Sequence, residues 1–96
     1  MTTIRKLVLD ILKPHEPNAI DFCLALASVG DAYRVNLMVT EVDEKTETII
    51  VTIEAQDINF SEISANVQKM GASIHSIDEV EVSSEPIDGS NSSSLE

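Results

Sequence analysis

Tryptophan is absent from this 96-residue chain, and Phe22, Phe60 and Tyr33 are its only aromatic residues. Any core built here has to be aliphatic. A single cysteine, Cys23, excludes a disulfide framework and a Cys-rich metal site. It falls in an apolar helical pattern and reads as a small buried hydrophobe. Basic residues are scarce: six Lys or Arg stand against 17 Asp or Glu, a net charge of −11. So few cations cannot supply the phosphate contacts that dominate nucleic-acid binding. The same deficit disfavours an anionic membrane surface. We therefore expect neither nucleic acid nor membrane as a partner. No run approaches the ~20 apolar residues of a membrane span. Arg5, Lys6 and Asp10 interrupt the first apolar stretch, so no signal peptide is read there and the expected compartment is the cytoplasm. A chain this short buries only roughly 60% of its unfolded surface, which favours a homo-oligomer.

What is present is an order of periodicities: strand, helix, strand, strand, helix, strand. Residues 5–12 alternate, with Leu7, Leu9 and Ile11 on one face and Lys6, Val8, Asp10 and Leu12 on the other. Pro14 and Pro17 bracket a loop. Asn18 then caps a helix, with Asp21 in the first turn, an apolar set of Ile20, Cys23, Leu24, Leu26 and Ala27, and Gly30 as the stop. Residues 34–42 and 47–55 form a hairpin across Asp43-Glu44-Lys45-Thr46, in which Ile49, Val51 and Ile53 point inward. Asn59-Phe-Ser-Glu62 has the form of a capping box. Ile63, Val67 and Met70 follow at helical spacing and Gly71 ends the helix. Residues 73–82 are the last strand, where Ile74 and Ile77 can face one way only through a bulge.

Right-handed crossovers place the strands in the order 4-1-3-2, with both helices on one face. This is an α+β, ferredoxin-like βαββαβ sandwich over residues 1–82. Residues 83–96 are acidic and Ser-rich and predict a disordered tail, of which 95–96 have the form of a cloning remnant. The sheet face left without helices carries Val8, Leu12, Ile50 and Ile77 among polar residues, a surface apolar enough to favour a partner subunit.

The topology gathers Asp10, His15, Glu16 and His75 at one end of the sheet. Imidazoles with carboxylates make a candidate small-ligand site, and alternatively a divalent-metal site. The hairpin acids Asp43, Glu44 and Glu47 read as solvated turn residues. No Gly-rich phosphate loop, nucleophile elbow or Cys-His dyad is present in the sequence, so an enzyme is not expected.

The stretches Leu-Asp-Ile-Leu-Lys-Pro-His-Glu-Pro (9–17), Glu-Val-Asp-Glu-Lys-Thr-Glu-Thr (41–48) and Ile-His-Ser-Ile-Asp-Glu-Val (74–80) resemble the archaeal family known as domain of unknown function 211. The resemblance covers about residues 4–82. It implies a ferredoxin-like fold, a cytoplasmic archaeal protein and assembly into a homo-oligomer, a ring among the forms it suggests, with no established activity. The chain departs from the family pattern at Gly30-Asp-Ala-Tyr33, which lacks a second glycine, and at Ala72, where a Gly-Gly pair is common. The leading expectation is a non-catalytic, homo-oligomeric regulatory or small-ligand-binding module; the alternative is a divalent-metal-binding protein.

Overall fold

The chain runs β1 (Thr3–Pro14), α1 (Ala19–Ala27), β2 (Arg34–Val42), β3 (Thr46–Glu54), α2 (Phe60–Lys69) and β4 (Ser73–Ser83) in the computed structural model, which describes residues 1–86. Its four strands form one antiparallel sheet in the order β2-β3-β1-β4, the ferredoxin-like arrangement. Leu7, Leu9 and Ile11 of β1 stand opposite Ile53, Val51 and Ile49 of β3, and all six are buried. Phe22 and Leu26 of α1 and Ile63 and Val67 of α2 close over them. Each such side chain contributes roughly 1.5–3 kcal/mol by leaving water, so this strip between sheet and helices carries the fold.

Both helices start where the sequence marks them. Asn18 Oδ1 accepts the Asp21 N–H at 2.8 Å, and Asn59 Oδ1 accepts the Glu62 N–H at 3.1 Å. The second cap is half a capping box, because the Asn59 N–H is taken by the Tyr33 hydroxyl at 2.7 Å. Gly71 ends α2 with φ +83°, a conformation glycine adopts without a Cβ penalty.

The first helix is rotated from the expected phase. It buries Phe22 and Leu26, four residues apart on one face, and leaves Ile20 and Leu24 exposed. In nine residues the largest side chain decides which face turns inward, and Phe22 buries more area than any of its rivals. The helix also ends before Gly30, at Ser28, whose hydroxyl donates back to the Leu24 carbonyl at 2.8 Å. Gly30 serves the turn instead: a Cβ there would lie 2.6 Å from the Tyr33 ring. Two residues on, Ala32 has φ 58°, a left-handed conformation costing about 1–2 kcal/mol for an L-residue. The missing second glycine falls in this same turn.

The expected bulge in β4 is present. Ile74 stands opposite Ile11 and Ile77 opposite Leu9, with His75 as the extra residue between them. This register places Ile77 opposite a core residue, so it does not belong to the helix-free face to which alternation had assigned it. Ile77 stays half exposed because β4 is an edge strand with one neighbour. Past the end of β4, Arg5 donates to the Glu85 carbonyl at 2.6 Å. Most of the expected tail, residues 87–96, lies outside the described residues.

Candidate functional site

Alternation puts Asp10, Leu12 and Thr48 on the helix-free face, and the bulge brings His75 to the same place. With Ser73 and Ile74 they line a depression of about 510 Å³ at the end of the sheet. Asp10 sits on a central strand between Ile50 and Ser76, and among the described residues its carboxylate has no hydrogen bond or ion pair. The depression thus offers a carboxylate, an imidazole and two hydroxyls above apolar walls. That set suits a small ligand presenting hydrogen-bond donors.

His15 and Glu16 are not part of it, which corrects the four-residue convergence. Glu16 is exposed in the loop, and the His15 ring turns toward the hairpin. Its Nδ1 lies 2.9 Å from Glu47 Oε2, and its Nε2 lies 3.0 Å from each of the Asp43 and Glu44 carbonyls. Glu47 pairs with Lys13 on the helix-covered side of the sheet, whereas Asp10 and His75 open on the other side. Strand alternation separates the two histidines. Among the described residues, no three His, Cys, Asp or Glu side chains stand where they could hold one metal ion.

A different centre emerges around Lys13, which is fully buried. Its ammonium donates to the Pro14 carbonyl at 2.8 Å and the Pro17 carbonyl at 2.6 Å, and it pairs with Glu47 Oε1 at 3.2 Å. It also stands 6.0 Å above the Phe22 ring. Every donor on the ammonium has an acceptor, which is what makes burying a lysine tolerable. Glu47 is therefore a shared acceptor and not a solvated turn residue: one oxygen takes Lys13 and the other takes His15. The trio ties the end of β1, the proline-bracketed loop and the β2–β3 turn into one latch.

The latch shifts two titrations. Both ring nitrogens of His15 face acceptors, so the hydrogen bond to Glu47 and those to the turn carbonyls favour the imidazolium and raise its pKa. The His15 hydrogen bond and then the Lys13 contact lower the pKa of Glu47. A raised histidine pKa contributes stability fully present below the ordinary histidine value and lost as pH climbs through the raised one. A lowered glutamate pKa contributes stability present above the ordinary glutamate value and lost as pH falls through the lowered one. The latch is thus strongest between roughly pH 4.5 and 6.5. Urea unfolding of wild type and His15→Gln across pH should differ most in that window and converge in mild alkali. A difference independent of pH would contradict this.

Cys23 adds nothing to either site. Its thiol lies 3.5 Å from the Val35 carbonyl and burial raises its pKa, which holds it in the unreactive protonated form.

These observations define a small α+β protein of ferredoxin-like fold, with a depression lined by Asp10 and His75 on its free sheet face. Residues 5–94 match the model of family DUF211, described as uncharacterized ArCR. The chain is also 49% identical over 80 residues to uncharacterized protein MJ0319 of the archaeon Methanocaldococcus jannaschii, covering 83% of this chain and 82% of that protein. The chain belongs to this family. Family and relative alike are described only as uncharacterized. No helix among the described residues is long and apolar enough to cross a membrane.

Proposed function

We propose that this protein is a non-catalytic homo-oligomeric module, regulatory or ligand-sensing, that binds a small polar ligand in the Asp10–His75 depression. The observation that carries the reading is the distribution of exposed apolar side chains. Ile77, Val80 and Val82 stand out along β4, one edge of the sheet, and Ile20, Leu24, Val39 and Val42 stand out on α1 and β2 at the other. A domain of this size gains little core of its own, and apolar surface at two opposite edges is what head-to-tail contact between copies consumes. Such contacts close into rings when the rotation between subunits permits. The partner is then the chain itself, with no nucleic acid and no membrane, and the compartment is the cytoplasm.

A second reading, a divalent-metal-binding protein, draws on Asp10 and His75 alone. A carboxylate and an imidazole are two donors of the several a metal needs. Elemental analysis of the purified protein separates the readings.

Light scattering at micromolar concentration should give a mass of at least two subunits. Val80→Lys should lower that mass, because it places an unpaired charge in the contact. A monomeric wild type would end the proposal. For the ligand, Asp10→Asn should abolish any melting-temperature rise that a compound produces in the parent protein.

A further inference from the structure

One row of residues crosses the whole helix-free face. Arg34 of β2 stands opposite Glu54 of β3, Glu54 opposite Lys6 of β1, and Lys6 opposite Glu81 of β4. The signs alternate across all four strands: plus, minus, plus, minus. These four side chains line one shared depression, together with Arg5. The concentration is notable in a chain with six basic residues. Within the monomer the row is weakly held: Arg34 and Glu54 are 3.9 Å apart with the Arg34 side chain 83% exposed, and Lys6 leans to Glu79 at 3.6 Å. Exposed pairs of this kind contribute little to the stability of the chain that carries them.

An alternating row of even length has a particular symmetry. Reversed end for end, it presents the opposite charge at every position. When two copies of the sheet face each other about a two-fold axis parallel to the strands, the strand order reverses across the interface. Arg34 then meets Glu81 of the second copy, and Lys6 meets Glu54. The neighbouring rows bring no like charges together: Val8 meets Thr52, and Glu79 meets Asn36. A two-fold axis across the strands would instead bring Lys6 to Leu12 and leave Glu54 against Thr48. We infer that the end of the helix-free sheet face around the Arg34–Glu54–Lys6–Glu81 row, away from the Asp10–His75 depression, is a self-complementary interface for a second copy of this chain, with its register set by that row. The contact rests on the homo-oligomer proposed above and adds an isologous face to its apolar edges. Charged rows of this type select register and partner more than they add affinity.

The outer pair of the row gives a clean test, since both residues are exposed on the edge strands. Arg34→Glu alone opposes two glutamates across the interface, and Glu81→Lys alone opposes two cations. Each variant by itself should assemble on the order of tenfold more weakly than wild type, since like charges then oppose across the contact. Mixed in equal amounts, both cross-interface contacts regain opposite signs, and native mass spectrometry should show one-to-one complexes returning to wild-type mass. Circular dichroism establishes that each variant is folded. If one is not, Lys6→Glu mixed with Glu54→Lys makes the same test on the inner pair. Wild-type assembly by either single variant, or a mixture that fails to recover, overturns this interface and leaves the proposed oligomer standing. A monomeric wild type overturns both.

Discussion

Replacing Lys13 with alanine should destabilise the fold by about 3 kcal/mol, the sum of a lost buried stem and carbonyls left without donors. For a domain of this size that corresponds to a fall in melting temperature of roughly 10–20 °C. The buried ammonium is the only cation in contact with the Pro14 and Pro17 carbonyls among the described residues, and it holds Glu47 in position for His15. Lys13→Met keeps most of the stem volume and should recover only part of the loss, because the acceptors remain orphaned. Lys13→Met combined with Glu47→Leu should recover more, since a buried pair exchanged for apolar side chains is often tolerated better than half a pair. Calorimetry on the three variants checks the order. If Lys13→Ala melts within a few degrees of wild type, the latch is not holding the fold.

Phe22→Ala carries the other large effect, about 3–5 kcal/mol. Phe22 is the one aromatic side chain in the buried core cluster and the residue that sets the rotation of α1. Removing it takes away that preference and allows Ile20 or Leu24 to turn inward, so the variant should lose helix definition as well as stability. Urea denaturation should show a lower midpoint. The double variant Lys13→Ala with Phe22→Ala should cost less than the two singles combined, because the ammonium lies over the ring and the two residues share the contact. Strict additivity would show that they do not interact.

The element order, the sheet order and both N-caps were legible because each rests on a local rule: a period of two or 3.6, or an asparagine ahead of an apolar run. The bulge in β4 was legible from a parity conflict between Ile74 and Ile77. The phase of α1 was not read correctly, since several faces of a short helix were apolar; the signal that could have chosen among them was the size of Phe22, the largest side chain of the helix. The Asp10–His75 half of the candidate site followed from topology. The His15 and Glu16 half did not, because proximity along the chain said nothing about which side of the sheet the ring would take. A signal for the latch did exist. Lys13 continues the parity of Leu7, Leu9 and Ile11, and Glu47 continues that of Ile49, Val51 and Ile53. Two opposite charges that extend two paired core stripes at the same end are candidates for a buried ion pair.

The Tyr33 hydroxyl, bonded to the Asn59 N–H, also makes a contact of 3.4 Å with the Asp57 carbonyl. In a chain with one tyrosine and no tryptophan, this hydroxyl is an optical reporter supplied by the fold. Tyrosine emission reads whether the start of α2 is docked beside the start of β1, where the Ile58 N–H reaches the Ile4 carbonyl. The His15 ring protons, visible by magnetic resonance, read the far end of the same strand. Melting followed at both positions measures how far one cooperative transition extends along β1, without adding any label to the protein.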